Sequence, residues 1–444
     1  MTNDSQPLQL LFLGTGTSTG LPLTPCLTLS FPYPEQFTSH VPLATPSTDQ
    51  GAWNPDGPWP SNIPCACCRN SVNVDVPDGW KNKRGNTSVV VRKKGQDGIW
   101  RNVLVDAGKT FLEQARRFFP RWGVKTIEAV LLTHGHADAY FGLDDLREWC
   151  LRQHVQIPIY LNQATYDIVS ASFPYLVDKN KASGGGDLPS LTWNIIDDES
   201  AFEVCGINVQ SLPVHHGVYF SDSSPTSAKA TKLLSKGPRQ KAEPEPLICL
   251  AFMFDESIVY MSDVSEIPER TWDRLLRRGE RDKTSSTSVS SPDTAQKNFG
   301  ALDKTAPPPL SILVIDALWP LRPHFSHFSL AQALEAILRL KPTMSYLTDS
   351  THPTTHYMWE EICLSFRGLD GERDHPDAEV TKGLVKRVWE TGDIGRGLGD
   401  KMRESGLRVE PSWDGLAVEV GGQVGDDGWR EVDGPGGSTG GWGI

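Results

Sequence analysis

The sequence predicts an α/β protein, and three observations predict it. Short apolar runs recur along the chain and end repeatedly on Asp or His. Stretches with helical spacing lie between them. Clusters of Gly, Pro, Ser and Thr punctuate the remainder.

The elements follow in order. Leu8 to Leu13 reads as the first strand and leads into Gly14-Thr-Gly-Thr-Ser-Thr-Gly20. Gly-x-Gly after a strand invites a dinucleotide reading, but Pro22 and Pro25 interrupt where a helix would have to begin. Residues 27–64 have no steady period and read as an inserted loop. Strands are expected at 87–92 and 102–106, and helices at 110–122 and 142–153. Residues 157–160 are short and β-like, and 202–216 alternates as one strand. Residues 221–246 are Ser/Lys/Pro-rich and read as a flexible insertion. Residues 247–254 and 257–263 form a predicted hairpin turning at Asp255-Glu256. Residues 279–309 carry polar and charged sequence with almost no large apolar residue, so disorder is expected there. A buried strand follows at 311–316, a helix at 329–340 and a strand ending at Asp349. Helical sequence at 378–404 and β-type sequence at 407–420 complete the fold. The Gly-rich tail after Gly421 is expected to fray.

Composition bounds the function. The chain has 444 residues, 38% hydrophobic and 22% charged, which suits a globular protein with loop insertions. Its net charge of −12, without a long Lys/Arg run, argues against binding to extended nucleic acid. A small anionic substrate remains compatible, because a metal ion can dominate the local field. No apolar run reaches the length of a membrane span, and the N-terminus has no basic leader region. A cytoplasmic setting, with the nucleus as an alternative, is the expectation. The oligomeric state is not legible.

The chemistry concentrates at strand ends. Glu128 to Thr133 runs into His134-Gly-His136-Ala-Asp138. Imidazole and carboxylate are ligands that zinc and similar divalent ions prefer. Asp106, His215-His216, Asp263 and Asp349 end other apolar runs in the same way. Four cysteines, Cys26, Cys65, Cys67 and Cys68, crowd one region in a pattern closer to metal binding than to a disulfide framework. Cys150, Cys205, Cys249 and Cys363 lie in apolar patterns and are expected to be buried thiols.

Together these motifs resemble the metallo-β-lactamase superfamily, and most closely its PhnP-like branch of phosphoribosyl cyclic phosphate phosphodiesterases. The resemblance runs from about residue 8 to 420, insertions apart. It implies an αββα sandwich with the metal site on strand-end loops. His134, His136 and His216 match the three histidines of the first metal position. His216 is favoured over His215 by the spacing of Pro213-Val-His-His-Gly217. Asp263 matches the carboxylate that bridges two metals, and Asp138 the aspartate of the second position. Two departures matter. Ala139 stands where the family usually has histidine, and Asp349 stands in place of the histidine of Leu-Thr-His. One firm and one weak active-site metal are therefore expected, with the oxygen-rich second position suited to a harder ion such as Mn²⁺.

The resemblance also implies a structural zinc held by Cys26, Cys65, Cys68 and His352. Cys67 is an alternative to either neighbour. The implied activity is metal-dependent phosphodiester hydrolysis of a small cyclic or nucleotide-like phosphate. In that scheme Asp138 accepts the proton of the attacking water. His327, in His324-Phe-Ser-His-Phe-Ser329, donates one to the leaving group. Ser329 fits as the N-cap of the helix that follows. Two other outcomes share this fold: a tRNA 3′-processing nuclease, and a binding or accessory protein that has lost turnover.

Overall fold

The computed structural model describes residues 6–28, 63, 65–183, 185, 187–219, 245–278, 310–369, 373–421 and 429–432. The expected insertions at 27–64, 221–246 and 279–309 and the tail at 421–444 lie for the most part outside these residues. No described helix is long and apolar enough to cross a membrane.

Among the described residues fifteen strands form two sheets. In chain order they are β1 (Leu8–Gly14), β2 (Ser88–Lys94), β3 (Trp100–Val105), β4 (Ala129–Leu131) and β5 (Ile157–Leu161). Next come β6 (Leu191–Ile195), β7 (Ala201–Val204), β8 (Ile207–Val218), β9 (Pro246–Phe254) and β10 (Ile258–Met261). The last are β11 (Ile312–Asp316), β12 (Met344–Thr348), β13 (Arg408–Pro411), β14 (Ala417–Val420) and β15 (Trp429–Glu431). The first sheet has the order β15-β14-β1-β2-β3-β4-β5-β6, and the second β13-β12-β11-β10-β9-β8-β7.

Alternation along the strands explains the layering. In β1, Leu8, Leu10 and Phe12 face a core shared with Phe252, Tyr260, Val314 and Tyr346 of the second sheet. Leu11 and Leu13 face the opposite way, onto Phe111, Phe118 and Phe119 of the helix Phe111–Trp122. In β11, Ile312 and Val314 point between the sheets, whereas Leu313 and Ile315 pack beneath the helices Leu330–Leu340 and His356–Ser365. A strand buried on both faces must be apolar throughout, which is why these segments read as continuous apolar runs. The result is the expected αββα sandwich.

Several elements differ from the sequence reading. The single strand expected at 202–216 is a hairpin of β7 and β8. Cys205 and Gly206, at φ 57° and 75°, make its turn. Cys205 is therefore half-exposed rather than buried. Residues 142–153 begin as a 3₁₀ turn (Phe141–Leu146) before the helix Arg147–Gln153. The helical segment at 378–404 breaks after Ala378–Glu390 and resumes through a π-helical stretch, Ile394–Leu398, that runs into Gly399–Ser405. The β-type sequence at 407–420 splits between sheets, β13 pairing with β12 and β14 with β1. The predicted turn at Asp255-Glu256 is present, both residues having positive φ.

Candidate metal centre

Both sheets deliver their functional residues to one end. β4 runs into His134–Asp138, β8 carries His216, and β10, β11 and β12 run into Asp263, Asp316 and Asp349. Asp106, Asp263 and Asp349 all lie just past a strand with φ of 61°, 53° and 60°. Asp tolerates this left-handed conformation better than most residues, and it turns the carboxylate off the strand axis. The His-x-His-x-Asp loop is held down by backbone contact with the loop after β3. Ala107 N–H donates to Ala139 O and Gly142 N–H to Ala107 O, each at 2.7 Å. A Cβ on Gly108 would sit 1.8 Å from Asp138 O, so only glycine permits this approach.

The imidazoles of His134, His136 and His216 converge. One ring nitrogen from each lies within 4.8 Å of the other two, and ring centroids are 4.7–5.1 Å apart. Hydrogen bonds to the opposite nitrogens fix which atom faces inward. His216 Nδ1 donates to Ser326 O at 2.6 Å. His134 Nδ1 lies 2.8 Å from Thr133 Oγ1, whose hydroxyl donates to Asp106 Oδ2 at 2.8 Å. Both Nε2 atoms are thus left as acceptors. Burial and the neighbouring imidazoles hold His134 well below the usual histidine range. Burial likewise lowers His216 to about 4, so both are neutral at pH 7. Neutral imidazole is the ligating form. Among the described residues His134 Nε2 and Asp138 Oδ1 are buried without a hydrogen-bond partner, 4.0 Å from one another. Buried polar atoms left in this way need a partner. A divalent cation fits the donor set.

The opposite bank is carboxylate-rich. Asp263 Oδ1 lies 3.8 Å from His216 Nε2 and 4.0 Å from His327 Nε2. His327 Nδ1 donates to Asp316 Oδ2 at 2.8 Å. Burial opposes a charge on His327, but Asp316, Asp263 and Asp349 outweigh it and raise its pKa to about 10. Asp316 is pushed up to about 6 by burial, a rise that the His327 charge limits. Both partners are therefore ionised at neutral pH. Asp349 accepts hydrogen bonds from the Thr87 hydroxyl and from Asp263 N–H, the latter at 3.3 Å. It groups with Asp316 and His327, not with the histidine triad. Ala139 is buried and offers no ligand. His215 is turned away, its Nδ1 2.9 Å from Glu266.

Cys26, Cys65, Cys68 and His352 form a second group whose ligand atoms lie within 4.8 Å of one another. Cys65 caps the helix Ala66–Val72, and its sulfur accepts the Cys68 N–H at 3.5 Å. Leu23 N–H reaches Cys68 Sγ at 3.3 Å, and His352 Nδ1 lies 3.6 Å from Cys65 Sγ. Cys67 turns away and donates to Asn82 Oδ1 at 3.6 Å. Hydrogen bonds with Cys65 and Cys68 depress the Cys26 thiol, while those with Cys26 and Cys65 raise Cys68. Three sulfurs and an imidazole competing in this way form a closed four-ligand set of the kind that holds structural zinc.

Sequence reasoning missed Asp316, Thr133, Thr87 and Ser326. Only Asp316 had a signal, since Ile312–Ile315 ends on Asp just as the other runs do.

Residues 101–278 match the model of the beta-lactamase superfamily domain, a span that includes His134, His136, Asp138, His216 and Asp263. Over that span the chain is similar to a beta-lactamase superfamily domain. Its fold is similar to that of a diphosphatase from the PhnP family, with a TM-score of 0.51 and 21% identity. That alignment covers 93% of this chain and 97% of the other. Zinc-bound PqqB from Methylobacterium extorquens aligns with a TM-score of 0.48 and 13% identity, covering 92% and 99%. A curated octanoyltransferase from Porphyromonas gingivalis (strain ATCC BAA-308 / W83) is 30% identical over 153 residues, 34% of this chain. The match spans about a quarter (27%) of that relative's length.

Proposed function

We propose that this protein is a metal-dependent hydrolase, and within that class a phosphodiesterase for a small cyclic or nucleotide-like phosphate. One observation carries the reading. The imidazoles of His134, His136 and His216 converge, and His327 lies beside His216 with Asp263 Oδ1 within 4.0 Å of both. His134, His136, His216 and Asp263 would hold a divalent cation, and the nitrogen-rich set suits zinc. Such an ion supplies two things when bound: a water acidic enough to attack near pH 7, and polarisation of the phosphoryl oxygen.

The remaining chemistry belongs to the chain. Asp138, with Oδ1 unengaged beside His134, accepts the proton of the attacking water. Phosphorus–oxygen bond cleavage leaves an alkoxide, which needs a proton. His327 holds one on Nε2 as the imidazolium that Asp316, Asp263 and Asp349 favour, its Nδ1–H being donated to Asp316. Asp316 orients the ring and sustains its charge. The likeness to a PhnP-family diphosphatase supports the fold of this site, and the His327–Asp316 pair supports a leaving group that must be protonated.

The deciding experiment is hydrolysis of bis-p-nitrophenyl phosphate by purified protein loaded in turn with Zn²⁺, Mn²⁺ and Mg²⁺, with metal content measured on the same samples. Turnover that disappears in His136→Ala together with the active-site metal is expected. A parent protein that binds metal and cleaves no phosphodiester would favour an accessory, non-catalytic role.

A further inference from the structure

Arg84 is 2% exposed, and its Nε, Nη1 and Nη2 all lack a hydrogen-bond partner among the described residues. Burying an ionised guanidinium in this way is strongly unfavourable unless a nearby charge compensates it. The surroundings identify that charge. The Arg84 backbone pairs with Leu21, Leu21 N–H donating to Arg84 O at 2.7 Å, and Leu21 packs against the cysteine cluster. Two residues earlier, Asn82 accepts the Cys67 thiol. Burial disfavours the Arg84 charge, and Cys67, Asp414, Cys68 and Cys65 favour it.

Asp414 shares in that charge, but its carboxylate oxygens are turned to other donors and make no hydrogen bond to the guanidinium. Its Oδ1 accepts from Thr15 at 2.9 Å, and its Oδ2 from Gly85 N–H at 2.8 Å. Two other cations near the cluster are also committed. Arg69 is bridged to Asp377 at 3.2 Å, and Lys81 to Glu360 at 3.4 Å. The cluster has its own charge requirement. Three thiolates and a neutral imidazole around Zn²⁺ leave one net negative charge in a buried site.

We infer that Arg84 is the counter-cation of the cysteine cluster, its guanidinium neutralising the negative charge that three thiolates leave around a bound zinc. The inference rests on the zinc reading of Cys26, Cys65, Cys68 and His352. It gives Arg84 a positioning role for the cluster's metal, exerted through charge.

The test uses full-length protein and the variants Arg84→Met and Arg84→Lys. Co²⁺ is substituted into the cluster, where thiolate-to-metal charge-transfer absorption distinguishes it from the histidine site. A chromophoric chelator then competes for the metal. Arg84→Met is expected to weaken metal binding at the cluster about 10–100-fold, the usual cost of losing a group that supports metal ligands. Arg84→Lys is expected to stay within roughly threefold of the parent, because the charge is kept. Failure of Arg84→Met to fold, alongside a folded Arg84→Lys with the charge-transfer band, has the same meaning. Parental affinity in Arg84→Met overturns the inference. So does an Arg84→Lys variant as impaired as Arg84→Met, since the requirement would then be shape. A parent with no charge-transfer band removes the zinc reading and this inference together, and that result is visible before any variant is made.

Discussion

His327 Nδ1 and Asp316 Oδ2 are 2.8 Å apart, joining the loop before the helix Leu330–Leu340 to the end of β11. The pair commits one ring nitrogen to a buried carboxylate and leaves the other facing Asp263. The same device sets the His216 tautomer, with a backbone carbonyl in place of the carboxylate.

This pair predicts a leaving-group effect. A general acid contributes roughly 10²–10⁴-fold to rate. His327→Ala is therefore expected to slow cleavage of a phosphodiester with an alkoxide leaving group on that scale, with metal content retained. The loss should be much smaller with p-nitrophenolate, which departs without a proton. Asp316→Asn should show the same pattern less severely, because the ring keeps a hydrogen-bond partner but loses support for its charge. Equal losses on both substrates would assign His327 to structure.

The pair also predicts a pH dependence of stability in metal-free protein. His327 has an ordinary value of 6.5 and is raised to about 10 in the fold by its carboxylates, which outweigh burial. Between those values the folded state binds more protons than the unfolded state. The contribution is thus fully present below about pH 6.5 and is lost as pH rises toward about 10. Urea unfolding of parent and His327→Gln across this window should show a steeper fall in the parent. Parallel profiles would contradict the charged state of His327.

The second metal position yields a stoichiometry. Asp349 is already held by Thr87 and the Asp263 amide, and Ala139 is buried without a ligand. Elemental analysis is expected to find one tightly held active-site metal and one structural zinc per chain. Two tight active-site metals would show that Asp138, Asp263 and Asp349 suffice for a second ion. Cys68→Ser should lose the structural zinc and lower the Tm, since metal binding of this kind contributes to folding. Cys67→Ser should keep the zinc, because its thiol points to Asn82.

Much of this site was legible because strands buried on both faces write themselves as apolar runs, and the residue that ends each run is exposed to chemistry. His134, His136, Asp263 and Asp349 were found by that rule. Asp316 obeys it equally, yet a buried strand is an adequate explanation of Ile312–Asp316 alone, so its role emerged only beside His327. Thr133 and Ser326 act through a hydroxyl relay and a main-chain carbonyl, which leave no pattern in sequence. The Cys205-Gly206 turn was hidden because a half-buried cysteine continues the alternation of its flanking strands. The assignment of β13 and β14 to different sheets depends on pairing with β12 and with β1, and such remote partners have no local signature.

The Thr133 relay gives a last prediction, independent of turnover. Thr133 receives the His134 Nδ1 hydrogen and passes its own to Asp106, which also accepts the Thr133 N–H at 2.9 Å. Asp106 is fully buried, and burial raises it well above the carboxylate range while Thr133 opposes that rise. Thr133→Val preserves the size and β-branching that suit the end of β4, but it removes both the acceptor for His134 and one donor to Asp106. His134 could then rotate or exchange tautomers, presenting N–H where a ligand lone pair is required. Groups of this kind typically contribute about 10–100-fold to metal affinity. Chelator competition on Thr133→Val is expected to show a loss on that scale at the histidine site, with the cysteine-cluster metal unaffected. Thr133→Ser, which keeps the hydroxyl, should recover most of it. If valine binds metal as tightly as the parent, the imidazole is positioned by packing alone and the relay has no part in holding the ion.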